Sequence, residues 1–520
     1  MKTRFLVLLV LLAALVGVMP SLAQTPDAET LVITSLSDLQ SFDPHIGYDT
    51  VTWFTYPLVY RGLVGLDSSG EPSPELAESW TISEDGMTYT FVLRDGIMFS
   101  NGRAITAEDI KYSFTRLQSP DTASPTAYMF DMVEGTAEYI AGDATEISGI
   151  TVVDEKTVEF KLARPEWTLM KRFALPPGMI VAREQVEGAE NFAREPLGAG
   201  PFVLDSWESG VRLSFSANPN YWRESPAYSK VVIDLAIDPT VGALRIESGE
   251  ADLMVDPISN SDYPRVATDP ALAENLVLSV GFPNTQYIIP NVRQGPFSDL
   301  RVREALNIAI DRERLVTIYN NRAIPAAGPV PNNVDGDNAD LSVPFDPERA
   351  KTLLAEAGFA DGFSVSVLLT TDPVDSAVMQ AVAEDWAAVG VTLELRPVEF
   401  AQWLDVAYSS PEEVDLFYIG WFMDYLDPSN VFEPLLTCAG SFNPGAYCNA
   451  DIDAAFAATK ELPPGDARWQ AFSDLEALAV ADVANMYLVH VQQYFYHSAR
   501  LDNVTAHPAS QIDLDAITFK

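Results

Sequence analysis

Beyond residue 300 the apolar residues switch repeatedly between a period of 3.6 and a period of two. Residues 299 to 319 read as one charged helix, with Val302, Leu306, Ala309 and Ile310 on a single stripe. Asp346-Pro347 opens another, with Asp346 as cap and Pro347 in the first turn, and Gly358 ends it. A strand at 363 to 369, a helix at 376 to 389, and strands at 391 to 395 and 414 to 420 follow. This alternation predicts an α/β fold, with helices packed on a sheet.

The first 300 residues are more mixed. A strand-like run, Leu31-Val32-Ile33-Thr34, leads into the turn Ser41-Phe42-Asp43-Pro44. Residues 80 to 82 and 87 to 93 flank Ser83-Glu84-Asp85-Gly86, with Tyr89, Phe91 and Leu93 at period two, which predicts a hairpin. Thr106-Ala107-Glu108-Asp109 is an acidic variant of the capping box, and Ile110, Phe114 and Leu117 then fall on one helical face. A second hairpin is expected at 150 to 153 and 157 to 162, strands at 212 to 217 and 231 to 237, and a helix at 240 to 248 stopped by Gly249. No fixed-period repeat or low-complexity linker is present, so domain boundaries should fall in compact crossings.

Charge removes several classes of function. Against 32 Lys and Arg stand 74 Asp and Glu, a formal charge of -42 in 520 residues. Such a chain is repelled by nucleic acid and by anionic membrane surfaces. Its length suggests about three domains, and 48% hydrophobic content suffices for their cores. The one long apolar run, Phe5 to Met19, follows Lys2 and Arg4 and ends at Pro20-Ser21-Leu22-Ala23. It is shorter than the roughly 20 residues of a membrane span and reads as a signal peptide over 1–23, cut after Ala23. An exported, soluble, extracytoplasmic or periplasmic product is expected, without a lipid-anchor cysteine at the cut. The two cysteines, Cys438 and Cys448, would then fold where thiols oxidise, and one disulfide is expected, with metal binding the rival reading.

Signatures of catalysis are missing. There is no Gly-x-Ser-x-Gly elbow, no His-Glu-x-x-His and no Walker-type phosphate loop. The four histidines, His45, His490, His497 and His507, carry no local triad signal. The stretch Asp335-Gly336-Asp337-Asn338-Ala339-Asp340 resembles the start of a calcium loop. It fails at Ala339, at Asp340 where Gly is needed, and at Asp346 where a bidentate Glu should stand. It reads as a polar turn. No catalytic residue, metal or cofactor is expected, and the chain is not read as an enzyme.

One segment stands out: Leu416-Phe417-Tyr418-Ile419-Gly420-Trp421-Phe422-Met423-Asp424-Tyr425-Leu426-Asp427-Pro428. An apolar strand runs into a loop carrying aromatics and two acids, as binding residues are often presented at the edge of an α/β sheet. Asp427 precedes Pro428 and an apolar stretch, so it reads as a helix N-cap that Asn could replace. Asp424 has no such local task and is the candidate ligand carboxylate, against a loop-bracing role. Trp421 suits a core position and a pocket wall equally.

The chain resembles the peptide/nickel class of extracellular solute-binding proteins of ABC importers, which includes dipeptide- and oligopeptide-binding proteins. The resemblance rests on AESWTISEDGMTYTFVLRDGIMFSNGRAITAEDIKYSF at 77 to 114, LGAGPFVLDSW at 197 to 207, ANPNYW at 217 to 222, FSDLRVREALNIAIDRERLV at 297 to 316, FDPERAKTLLAEAGF at 345 to 359 and GWFMDYLDP at 420 to 428. It implies a two-lobed Venus-flytrap fold with an extra subdomain on the first lobe. The implied division is 24–60, 197–283 and 496–520 for the core of lobe I, 61–196 for the subdomain and 284–495 for lobe II, with crossings near Phe282 to Gln286 and Gln493 to Tyr496. In peptide-binding members the Asp of the GWxxD motif, here Asp424, receives the α-ammonium group, with main chain around Gly420, Trp421 and Phe422 adding strand-like hydrogen bonds. Tyr494 and Tyr496 join the implied ligand set, and the loop from Cys438 to Cys448 looks like the disulfide loop of dipeptide binders. One departure is clear: Leu369-Thr370-Thr371-Asp372-Pro373 lacks the Arg that dipeptide-selective members use for the peptide carboxylate. The implied partners are a peptide or another small solute and the membrane permease subunits, with the receptor a monomer. Alternatives are a nickel chelate, opine or oligosaccharide as ligand, or a secreted hydrolase.

Overall fold

Three sheets organise the residues that the computed structural model describes, namely 29–280, 283–332, 334–508 and 511–520. The expected signal peptide lies outside them, as does Phe282. The first sheet orders Leu253–Met254, Thr30–Thr34, Lys230–Asp234, Arg212–Ala217 and Phe202–Glu208, parallel around Thr30–Thr34 and antiparallel beyond Lys230–Asp234. The second is antiparallel: Ala77–Ile82, Thr88–Leu93, Thr157–Lys161 and Ile150–Val152. Both predicted hairpins are here. The turn of the first places Gly86 at φ +68°, a left-handed conformation that disfavours any side chain.

These two sheets share one core. Leu31, Ile33 and Phe215 of the first join Phe91 and Phe160 of the second in a single cluster of buried residues. At its centre Phe114, Phe160 and Phe173 meet edge to face, with centroids 5.0 to 5.2 Å apart. Phe114 reaches that cluster from the helix Ala107–Leu117, which carries the predicted capping box between Thr106 and Asp109.

The third sheet runs Ala323–Pro325, Met486–Val491, Asn284–Pro290, Leu416–Phe422, Phe363–Thr370 and Val391–Val398. It is antiparallel in its first half and parallel around Phe363–Thr370. Both faces are covered, and strand alternation sorts the side chains. Leu416 and Tyr418 enter one core, with Val367 and Trp386, while Phe417 and Ile419 enter the other, with Trp403 and Phe432. The α/β expectation for this half therefore holds. One helix differs from its expectation: residues 299 to 319 form two helices, Leu300–Ile308 and Arg312–Ile318. Asp311 breaks the run because its carboxylate accepts from the amide of Arg314 at 3.2 Å and so caps the second helix.

The result is two lobes of mixed α/β construction. Leu276–Leu278 leaves the first lobe paired antiparallel with Tyr494–Tyr496, which returns to it, and Gln286 and Val489 beyond already belong to the six-stranded sheet. The two connections thus run side by side. Among the described residues no helix is long and apolar enough to cross a membrane.

Cys438 and Cys448 form a disulfide with their Cα atoms 4.3 Å apart. The loop it closes is short, and in the chain-entropy account such a closure contributes about 2 to 3 kcal/mol. Reduction, or replacement of both cysteines by Ser, should lower the stability of the second lobe by that amount, read as a lower urea midpoint with an unchanged far-ultraviolet dichroism spectrum of the native protein.

Candidate functional site

The strand Leu416–Phe422 runs antiparallel to Asn284–Pro290, with Gly420 opposite Gln286 and Phe422 opposite Asn284. The amide of Gln286 lies over Gly420, where a Cβ would come within 2.2 Å of it. Past Phe422 the chain leaves the sheet and turns through Met423 to Asp427 before the helix Ser429–Leu436. Asp424 sits on this turn, buried to 9% exposure.

Its carboxylate is held by neutral donors from both lobes. From the first lobe, the Tyr48 hydroxyl donates to Oδ1 at 2.8 Å and the Tyr128 hydroxyl to Oδ2 at 3.3 Å. From its own lobe, Asn430 Nδ2 donates to Oδ2 at 3.1 Å, and Asn430 Oδ1 accepts from the Asp424 amide at 2.9 Å. Burial pushes the Asp424 carboxyl above the usual carboxylate range, and those hydrogen bonds, with the more distant charge of Arg172, oppose the rise. Among the described residues no cation forms an ion pair with it. The carboxylate is therefore met chiefly by dipoles, with the charge of Arg172 only at a distance, which leaves room for a ligand cation.

The same turn fastens the lobes together. Lys171 Nζ donates to the carbonyl of Leu426 at 2.7 Å, and Arg172 donates to the Tyr425 hydroxyl at 3.1 Å, its guanidinium 5.1 Å from the Tyr425 ring centroid. Tyr425 itself is buried in the core of the first lobe. Beside the turn lies a cleft of about 470 Å³ between the lobes, whose wall includes Gly420, Phe422, Thr370 and Asp375 from the second lobe and Ile258 from the first.

The residues singled out from the sequence take different places. Gly420 and Phe422 line the cleft, and Phe422 is exposed there. Trp421 faces the other way: its Nε1 donates to Asn430 Oδ1 at 3.3 Å and its ring lies 5.5 Å from Phe442, within the disulfide loop. Tyr494 packs against Tyr263 with centroids 5.1 Å apart, and Tyr496 is 1% exposed in the core beneath the connecting strands. His497 is buried and bonded through Nδ1 to the Ser498 carbonyl. Among the described residues no group of three or more His, Cys, Asp or Glu is gathered to hold a metal ion.

Asp427 corrects a sequence expectation. Its Oδ1 does accept from the amide of Ser429 at 3.0 Å, as a cap would, but it also pairs with Arg468 at 3.0 Å, and both side chains are almost fully buried. Asn would retain the cap and leave the guanidinium without its counter-charge. Tyr48, Tyr128, Asn430 and Lys171 were not foreseen at all, since nothing adjacent to them in sequence marks them.

An interlobe cleft beside a recessed charge is the architecture of a receptor that closes around a solute. The chain belongs to the bacterial extracellular solute-binding proteins, family 5, whose model for the middle region matches residues 71–443. It is 29% identical over 444 residues to the dipeptide-binding protein of Escherichia coli (strain K12), covering 81% of each chain. It is 30% identical over 460 residues to the di/tripeptide-binding protein 2 of Pseudomonas aeruginosa (strain UCBPP-PA14), covering 82% of this chain and 83% of the relative. Among solved structures, the Escherichia coli murein tripeptide binding protein MppA superposes with a TM-score of 0.81 at 23% identity, over 95% of this chain and 99% of that one.

Two outcomes test this geometry. Asp427→Asn should destabilise the second lobe by about 3 to 5 kcal/mol, the usual cost of breaking a buried pair, read by denaturant titration. Replacing Tyr48 and Tyr128 together by Phe removes two donors to a buried carboxylate, each contributing about 1.5 to 3 kcal/mol. The ligand-free double variant should then scatter X-rays with a larger radius of gyration than the parent; superimposable curves would show that these phenols do not hold the lobes together.

Proposed function

We propose that this protein is the extracytoplasmic receptor of an ABC importer and that it captures peptides between its lobes, delivering them chemically unchanged to permease subunits in the membrane. The observation that carries this reading is Asp424: a recessed carboxylate at the seam of the lobes, bonded to Tyr48, Tyr128 and Asn430 but, among the described residues, paired with no cation. A peptide's α-ammonium group supplies the missing charge, and it loses less on desolvation beside a fixed carboxylate than in an uncharged cleft. The exposed edge near Gly420 and Phe422 offers main-chain groups to an extended peptide whatever its side chains. The names of the two curated relatives, both binders of short peptides, support the same ligand class.

The proposal has further parts. The receptor acts as a monomer. Its first lobe is built from 24–60, 197–283 and 496–520 with 61–196 as subdomain, and its second from 284–495, a division supported by the membership of the three sheets. Within the proposed ligand set, Asp424 receives the amine, the main chain of Gly420, Trp421 and Phe422 lies along the peptide, and Tyr494 and Tyr496 belong to the connecting strands that closure bends.

Asp424→Asn keeps the size of the side chain and removes its charge. It should weaken binding of a free peptide by roughly 30-fold to several thousand-fold, the range for truncating one member of a buried charge pair. N-acetylation of the peptide should produce a similar loss with the unaltered protein. Equal calorimetric affinities for free and acetylated peptides would sink the assignment of Asp424.

A further inference from the structure

The wall of the cleft carries a recessed charge opposite in sign to that of Asp424. Arg322, just before the strand Ala323–Pro325, lines the same cavity as Gly420 and Phe422 and is 7% exposed. Its guanidinium reaches across to the first lobe, donating from Nη1 to the Ile258 carbonyl at 3.0 Å and from Nη2 to Asn260 Oδ1 at 2.9 Å. The Tyr263 ring lies beneath it, 4.7 Å from ring centroid to Cζ. Nε is buried and has no hydrogen-bond partner, and among the described residues no carboxylate pairs with the group.

Arg312 offers one contrast. It too is buried without an acidic partner, but Nε donates to the carbonyls of Ala326 and Tyr487, and Nη1 and Nη2 to the carbonyl and side chain of Asn307. All three of its nitrogens are engaged, and it does not line the cleft. Arg322 lines the cavity, and its Nη1 and Nη2 each spend one N–H on the other lobe and keep a second. A guanidinium taken out of water with donors unspent is unfavourable until an anion meets it, and its planar fork matches a carboxylate.

The acids of the same cleft are not that anion. Asp372 spends its carboxylate on the amides of Val374 and Asp375 at the start of a helix, at 2.6 and 3.2 Å. Asp375 accepts from the Thr370 hydroxyl at 2.6 Å. The loop that carries these acids is also where the sequence shows no cation, so that wall offers nothing to a ligand's negative end.

We propose that Arg322 is the receptor for the ligand's carboxylate, so that the cleft selects dipolar ligands with an amine toward Asp424 and an acid toward Arg322. The inference rests on the peptide reading above and adds to it the group that fixes the second end. It also ties capture to closure, because Ile258 and Asn260, which hold the guanidinium in place, belong to the opposite lobe.

The test uses two randomised tetrapeptide pools, one of free acids and one of C-terminal amides, offered to the full mature protein and read by native mass spectrometry. The unaltered protein should retain free acids roughly 30-fold or more over amides. Arg322→Gln should abolish that preference, and Arg322→Lys should restore part of it. Asn260→Ala, which removes one of the two contacts to the other lobe and leaves the charge, should keep the preference. Equal retention of both pools by the unaltered protein overturns the proposal. So does an Arg322→Gln variant that loses both pools in proportion, which would make Arg322 a strap between lobes, or one that keeps its preference for acids. Retention of neither pool by the unaltered protein overturns the peptide reading itself, and the role of Arg322 with it.

Discussion

A carboxylate taken out of water and held chiefly by dipoles is the constraint on which the meeting of the two lobes depends. Burial alone would protonate Asp424 or drive its loop back into solvent. The chain keeps it in place with dipoles drawn from three separate stretches: a phenol from each of Tyr48 and Tyr128, and the amide of Asn430. Because two of those donors belong to the other lobe, compensation is complete only when the lobes touch. The electrostatics of one side chain is thereby coupled to the relative position of two domains.

The sheets explain how that coupling is kept accurate. Leu416–Phe422 pairs along its whole length with Asn284–Pro290 and at its start, Leu416 and Phe417, with Phe363–Thr370, and separate cores lie on its two faces. A strand so enclosed has little freedom, and the turn that follows it inherits a defined origin. The disulfide loop adds a lateral brace: Phe442 lies against both Trp403 and Trp421, so the aromatic at the strand's end is held from outside. The first lobe answers with a subdomain whose core is continuous with its own sheet, so Tyr128, Lys171 and Arg172 approach the seam on a firm base.

Much of this was legible in the sequence where the signal is local. The hairpin around Gly86 and the helix behind Thr106 and Asp109 were readable because turn and cap chemistry act within a few residues. The helix Pro373–Ala387 starts three residues earlier than expected, because Asp372 accepts from the amides of Val374 and Asp375 and so caps it. The long helix at 299 to 319 was misread because its apolar stripe continues across Asp311, whose capping bond interrupts it. At the seam, the absence of a local task for Asp424 was visible. Its partners were not: Tyr48 and Tyr128 stand 376 and 296 residues away, and no spacing rule links a loop tyrosine to an acid that distant. Asp427 failed for the same reason, since a cap is a local reading and Arg468 is 41 residues off.

Tyr425 has a consequence for time rather than affinity. It sits next to Asp424 on the turn of one lobe, yet its ring is packed in the hydrophobic core of the other, under the guanidinium of Arg172. Parting the lobes must draw that ring out into water, and exposing a large side chain costs about 1.5 to 3 kcal/mol. If the ring is already free at the barrier, opening slows by roughly 10- to 150-fold. The closed form then persists on its own clock, set by an aromatic plug and not by whatever it encloses. A carrier with such a plug lets go slowly even of a weakly held cargo, and anything that hastens unloading must act on the seam.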